Sequence, residues 1–156
     1  MVIWVPITML LLVSCITDFL YRKIPNILLI VVGAYGLIAS ALGAGDLVFI
    51  NSVLGLLTGL LIFMFPHYKS WIGAGDVKLM GVIGIYLGPS LTIITSIYSM
   101  LVGGVLALLY LLYRGDFQES KGSLLGFKTS QGQMPYAAAI SIGAVLAVLT
   151  TQNIQI

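Results

Sequence analysis

Two aspartates in a chain of apolar runs are the residues best suited to chemistry. Asp76 opens a strongly apolar run just after two glycines, Gly73 and Gly75, and Asp18 lies at the end of the first apolar run. In a chain that crosses a membrane, an ionisable residue at the head of a spanning helix is a functional hypothesis by default. We expect the fold to bring the two carboxyl groups together.

Paired carboxyl groups would supply acid–base chemistry. Two of them in a poorly solvated site cannot both ionise cheaply, so the pair shares a proton. This is the working state of an aspartic protease, in which one carboxylate activates water while the other, protonated, polarises the scissile carbonyl. Gly73 and Gly75 suit a peptide substrate, because glycine leaves room for a second backbone. Spacing alone leaves other roles open: intramembrane aspartates also serve ions, protons or helix pairing, and the glycines also suit a flexible linker.

The composition places these residues in a membrane protein. Of the 156 residues, 60% are hydrophobic and 8% are charged, and the mean hydropathy is +1.12, whereas a soluble domain carries about 25% charged residues. The net charge of +2 is small, and we expect no nucleic-acid partner. Cys15 is the only cysteine, which rules out a disulfide within the chain. We expect no metal or organic cofactor.

Six apolar runs are candidates to cross a bilayer core about 30 Å thick, which needs roughly 20 apolar residues per helix. We predict an all-α polytopic protein with about six transmembrane helices, forming one domain over residues 1–156. The predicted spans are about 2–20, 26–42, 47–65, 76–87, 91–113 and 135–150. The run from 77 to 113 is too long for one span, and Gly88-Pro89-Ser90 divides it. No Lys or Arg precedes the first run, so we expect a true span there and not a signal peptide.

Basic residues predict the orientation. If six helices cross, all seven Lys and Arg lie on one side, which the positive-inside rule assigns to the cytoplasm. They are Arg22, Lys23, Lys69, Lys78, Arg114, Lys121 and Lys128. Both termini then face outward from the inner (cytoplasmic) membrane, and Asp18 and Asp76 both lie at the cytoplasmic face.

Three further residues need separate interpretations. Residues 43–46 repeat the letters Gly-Ala-Gly-Asp at the outer face, where we predict that Asp46 is a loop or helix-capping residue. Lys78 lies roughly 200° around the helix from Asp76. We therefore expect Lys78 to anchor the helix at the interface or to meet an acidic substrate group, and not to pair with Asp76. His67 is isolated from other ligand types, and we predict a structural role for it.

Three motifs, spread from the first span to the last, resemble those of the type IV prepilin peptidases. Residues 73–79, Gly-Ala-Gly-Asp-Val-Lys-Leu, resemble the GxGDxKL motif of these GxGD membrane aspartic peptidases. Asp18, six residues before Ile24-Pro25-Asn26, resembles their other motif. Residues 134–137, Met-Pro-Tyr-Ala, resemble the Pro-aromatic start of their last helix.

The resemblance implies an integral-membrane aspartic endopeptidase whose catalytic pair is Asp18 and Asp76. Gly73, Gly75 and Lys78 are then candidate substrate-binding residues. Such enzymes cut a short basic leader from prepilin or pseudopilin precursors at the cytoplasmic membrane face, typically just after a glycine.

The chain departs from the larger bacterial members, which carry a cytoplasmic region with paired cysteines near the first catalytic aspartate and also N-methylate the mature pilin. Here the link after the first span covers only residues 21–25, and no second cysteine is present. The chain therefore resembles the small members that serve Flp-type (tight-adherence) pili, and we predict peptidase activity only. Archaeal preflagellin and prepilin peptidases share the GxGD motif and are further candidate relatives.

Two other functional classes stay open at this stage. A small transporter or channel subunit would use its intramembrane aspartates to carry protons or cations, and would show flux in proteoliposomes without pilin processing. A non-catalytic assembly partner of a secretion system would still support assembly after both aspartates were changed to asparagine.

Overall fold

The chain folds into a bundle of α-helices. A computed structural model describes residues 4–21, 24–43, 48–69, 72–114 and 136–154. Within these ranges there are five helices and no strand: α1 (Trp4–Tyr21), α2 (Asn26–Ala41), α3 (Phe49–Tyr68), α4 (Ala74–Arg114) and α5 (Tyr136–Ile154). The predicted all-α class is confirmed for this part of the chain.

Proline and glycine limit the second helix. Pro25 precedes α2 at φ −66° and ψ 118°, and its ring holds the chain in an extended conformation that cannot continue a helix backwards. Beyond Leu42, Gly43 adopts φ 65°, a left-handed conformation that costs glycine little and commonly ends helices. The predicted second span, 26–42, therefore coincides with α2 to within one residue.

α4 is interrupted at Gly88. Its φ of 72° and ψ of 175° are not helical, and only glycine adopts this region readily. Pro89 follows at once and lacks a backbone N–H to bond the preceding turn. The sequence predicted two spans divided at 88–90. The structure confirms the break, since two helical halves, 74–87 and 89–114, meet at Gly88, but no loop separates them.

α3 and the first half of α4 pack backbone to backbone through glycines. A Cβ atom on Gly55 would collide with the carbonyl oxygen of Gly84, and one on Gly59 would lie 2.5 Å from the carbonyl oxygen of Met80. Small residues one turn apart allow membrane helices this close approach. The crossing holds α3 against the half of α4 that begins with Asp76.

α5 packs between α4 and α1. A Cβ atom on Gly143 would collide with Ser99 of α4, and the Ser141 hydroxyl lies 3.4 Å from the Leu11 carbonyl oxygen of α1. α1 packs mainly against α5, with a smaller contact to α2. The buried core is drawn from all five helices, with Leu29 and Val32 from α2, and its most deeply buried members include Leu10, Phe63, Leu79, Met80, Ile83 and Ile140.

The described residues contain two stretches that are long and apolar enough to cross a membrane, by length and composition alone. These are Phe49–Tyr68 and Ala74–Leu109; the shorter apolar helices are Val5–Tyr21, Asn26–Ala41 and Tyr136–Thr150. Six such spans were predicted. The structure differs because the two halves of α4 join without a loop and because the apolar stretches described in the other three helices cover only 15 to 17 residues.

Large apolar side chains cover the outer faces of the first three helices. Phe19, Ile27 and Leu61 are 76%, 78% and 67% exposed. Monomeric soluble proteins rarely expose apolar patches of such extent. This surface is suited to contact with lipid.

Several predicted features lie outside the described residues. They are Arg22, Lys23, Asp46, the polar stretch 115–134 and Pro135. The orientation inferred from the basic residues therefore stays a prediction.

Candidate active site

Asp18 lies near the end of α1 and is held by α5. Its side chain is only 8% exposed, and Oδ2 accepts a hydrogen bond of 3.0 Å from the backbone N–H of Ala137. The first N–H groups of a helix have no partner within the helix. Asp18 supplies one of them with an acceptor, so the start of α5 fixes one oxygen of the carboxyl group.

Asp76 is held by its own helix start. The N–H groups of Asp76 and Val77 donate to the Gly73 carbonyl oxygen at 3.1 and 3.4 Å, which makes Gly73 the residue at the N-terminal cap of α4. The Asp76 carboxyl group in turn lies within hydrogen-bonding reach of the Gly73 N–H. An acidic side chain that folds back from the third helical position in this way resembles a capping box.

Gly73 has a steric role in this turn. A Cβ atom there would lie 3.2 Å from Asp76 Oδ2, tighter than an ordinary carbon–oxygen contact. The sequence suggested that the glycine leaves room for a substrate backbone. In the structure it leaves room for the carboxyl group of Asp76 itself.

Both aspartates of the predicted pair are buried. Asp76 is also 8% exposed, and Asp18 lies within electrostatic range of it. Asp76 Oδ1 is buried and has no hydrogen-bond partner among the described residues. A buried acceptor without a partner is an exception in native structures and calls for a functional or solvent explanation. Two buried carboxyl groups within electrostatic range of each other are compatible with shared-proton chemistry.

The start of α5 takes part in bringing Asp18 near Asp76. In the structure α5 lies between α1 and α4, because α1 packs mainly on α5 and α5 packs on α4. The start of α5 is thus a third component of the site.

The two sequence motifs also contact each other. A Cβ atom on Gly75 would lie 3.5 Å from Ile24, so the glycine faces the Ile-Pro-Asn segment at ordinary van der Waals distance. The Lys78 ammonium group donates to Asn26 Oδ1 at 3.2 Å. Lys78 therefore has a partner within the chain, and this hydrogen bond ties the start of α2 to the start of α4.

His67 secures the link that precedes Asp76. Its Nδ1 lies 2.9 Å from the carbonyl oxygen of Ile72. A carbonyl oxygen only accepts, so Nδ1 carries the proton. Among the described residues no group of three His, Cys, Asp or Glu side chains is arranged to hold a metal ion.

Tyr136 is the site residue that sequence reasoning left without a role. It precedes Ala137 and lies within electrostatic range of Asp76. Its ring contacts Phe63 edge-on, with 6.3 Å between ring centroids and 66° between planes. The only sequence signal was an aromatic residue directly after a proline at the start of the last helix.

Comparison with known proteins decides the classification. The model of the type IV leader peptidase family matches residues 5–108. The chain belongs to the type IV leader peptidase family. It is also 26% identical, over 148 residues, to the prepilin leader peptidase/N-methyltransferase of Bacillus subtilis strain 168. No solved structure matches the chain.

Family membership confirms the predicted resemblance to the type IV prepilin peptidases. The aligned region covers 93% of this chain but only 54% of the Bacillus protein. The chain therefore spans about half the length of that relative. The matched residues 5–108 include both Asp18 and Asp76 but end before α5.

Proposed function

We propose that this protein is an aspartic endopeptidase that removes the basic leader from type IV prepilins of the Flp kind, using Asp18 and Asp76. The observation that carries the proposal is the pair of buried carboxyl groups in one site of a chain that belongs to a leader peptidase family. In aspartic peptidases two such groups share one proton.

The geometry suits hydrolysis of a peptide bond. One carboxylate takes a proton from a water molecule while the water oxygen attacks the carbonyl carbon. The protonated carboxyl group of the partner donates a hydrogen bond, and then its proton, to the carbonyl oxygen. Collapse of the tetrahedral intermediate breaks the C–N bond, and the departing amine takes the proton that came from water. Asp76 Oδ1, buried without a partner among the described residues, is available to the water or to the carbonyl.

The membrane arrangement is part of the same proposal. With α4 counted as two halves around Gly88, the described residues form six helical segments, which we assign to one membrane-embedded domain with the dyad at the cytoplasmic face. α2 has 16 residues, so at 1.5 Å per residue it is about 24 Å long. That is shorter than a typical hydrocarbon core, and flanking residues or local bilayer thinning make up the difference.

We propose peptidase activity without methyl transfer. The link between α1 and α2 is only a few residues long, and the chain has a single cysteine. The Bacillus relative, whose name includes both activities, is nearly twice as long as the aligned region.

Co-expression with a Flp-like prepilin tests the proposal, with leader removal read as a mobility shift on a gel. Wild type should process the precursor. Asp18→Asn and Asp76→Asn should each lower the rate at least about a hundredfold, the order of magnitude of general acid–base catalysis. Asp46→Asn, in the repeated Gly-Ala-Gly-Asp letters, is the matched control and should process normally. Full activity in Asp18→Asn would refute the dyad, and proton or cation flux without processing would favour a transporter.

A further inference from the structure

The first turn of α5 bonds to Asp18 and lies near Asp76. The Ala137 N–H donates to Asp18 Oδ2 at 3.0 Å, and the adjacent residue, Tyr136, lies within electrostatic range of Asp76. Two consecutive residues of α5 thus lie near the two carboxyl groups, Ala137 at Asp18 of α1 and Tyr136 in the neighbourhood of Asp76 of α4. The position of this turn therefore affects where the Asp18 carboxyl group lies relative to Asp76.

Contacts from two other helices fix Tyr136. Phe63 of α3 meets its ring edge-on, and its hydroxyl group lies 3.4 Å from the carbonyl oxygen of Ser99 in α4. On a third side is Gly103 of α4, where an added Cβ atom would collide with the Tyr136 ring. The ring is therefore seated in a space that exists because residue 103 has no side chain.

Displacement of this ring moves the hydrogen-bond donor. Ala137 follows Tyr136 directly, so a shift of the ring is transmitted to the Ala137 N–H through one peptide unit. The bond is already at the usual N–H···O distance, and such bonds weaken steeply as their geometry deteriorates. A displacement of about 1 Å at a catalytic group can cost on the order of a hundredfold in rate.

We propose that Tyr136 is a positioning residue. Its ring packs on Gly103 and thereby positions the Ala137 N–H that bonds Asp18, which holds the Asp18 carboxyl group in the place it needs relative to Asp76. This inference rests on the proposed function for its catalytic consequence. Its structural part, the coupling between position 103 and the Ala137–Asp18 hydrogen bond, stands on the contacts alone.

Two neighbouring glycines provide a matched pair of variants. Gly103→Ala places a methyl group in the Tyr136 ring, whereas Gly104→Ala meets nothing within 4 Å. Both changes add the same methyl group to the same helix, so their effects on helix propensity are equal. Any difference between the two variants therefore reports the contact between residue 103 and the Tyr136 ring.

The experiment uses the full chain in detergent, with a precursor peptide that has a basic leader ending in glycine followed by an apolar helix. Gly103→Ala should lower kcat about tenfold or more, with KM unchanged within about twofold. Gly104→Ala should retain both values. In a Tyr136→Ala background, Gly103→Ala should cause no further loss, because the ring with which it collides is gone. Tyr136→Phe keeps the ring and should restore most of the rate lost in Tyr136→Ala.

Amide hydrogen exchange at Ala137 gives a readout independent of cleavage. Exchange should be faster in Gly103→Ala than in wild type or Gly104→Ala, with equal melting temperatures showing that all three chains are folded. Unchanged exchange at Ala137 in a folded Gly103→Ala chain overturns the inference, as does a change in KM alone. Faster exchange at Ala137 in Gly103→Ala, together with a wild-type chain that cleaves no prepilin, would leave the positioning role standing and reject the proposed function.

Discussion

The backbone N–H of Ala137 donates a hydrogen bond to Asp18 Oδ2, joining two residues that are 119 positions apart in the chain. This bond ties the end of α1 to the start of α5. Because α5 also packs on α4, it is the link through which Asp18 is held near Asp76.

Removing the acceptor of this bond should destabilise the protein as well as inactivate it. Asp18→Ala leaves the Ala137 N–H buried without a partner, which costs about 1–3 kcal/mol. Asp18→Asn keeps an oxygen that can accept, so it should lose activity with a smaller fall in melting temperature. Thermal melting of the two purified variants compares them directly. Equal melting temperatures would show that the bond adds nothing to stability.

The two glycines before Asp76 should differ in effect. An alanine methyl at position 73 would lie 3.2 Å from Asp76 Oδ2, whereas one at position 75 meets Ile24 at 3.5 Å, an ordinary contact. Gly73→Ala should therefore lower kcat by about tenfold or more, through displacement of the carboxyl group. Gly75→Ala should have the smaller effect on kcat in the same prepilin cleavage assay. If both variants chiefly raise KM to the same extent, the glycines serve the substrate backbone instead.

The crossing of α3 and α4 should not tolerate a methyl group. Gly55→Ala would place its Cβ atom against the Gly84 carbonyl oxygen, and overpacking of this kind typically costs about 1–3 kcal/mol. Gly104→Ala, which meets open space, is the control and should be neutral or slightly stabilising. Melting temperatures in one detergent measure both. A Gly55→Ala chain as stable as wild type would contradict the close crossing.

Lys78 and Asn26 should act as a pair. Because the Lys78 ammonium group donates to Asn26 Oδ1, Lys78→Met and Asn26→Ala should have similar effects, and the double variant should be no worse than either. The expected coupling is about 1 kcal/mol. Cleavage rates and melting temperatures of the two single variants, the double variant and wild type complete this double-mutant cycle. A rise in KM confined to Lys78→Met would show that Lys78 binds the substrate, as the sequence suggested.

The proposed orientation predicts which ends of the helices can be labelled. In a Cys15→Ser background, Leu42→Cys should react with a membrane-impermeant maleimide in intact spheroplasts. Lys69→Cys should react only after the membrane is opened, because the proposed topology places it in the cytoplasm with the other basic residues. The reverse pattern would place the dyad at the outer face.

Local pattern in the sequence was enough to predict several helix limits and the residues of the candidate site. Apolar runs divided by proline and glycine predicted α2 to within a residue and placed a break at Gly88, because helix limits depend on neighbouring backbone preferences. The residue types at positions 18 and 76 predicted carboxyl chemistry and led to the family. Neither inference required knowledge of which helices are neighbours.

Only the tertiary structure decided how the helices meet. It placed α5 between α1 and α4, supplied Asp18 with the Ala137 N–H, and seated Tyr136 on Gly103. It also showed Gly73 making room for the carboxyl group of Asp76 and Lys78 bonded to Asn26. The physical reason is that close packing depends on where a missing Cβ atom faces another helix. That relation joins residues far apart in the chain, and no local pattern of hydrophobicity or charge encodes it.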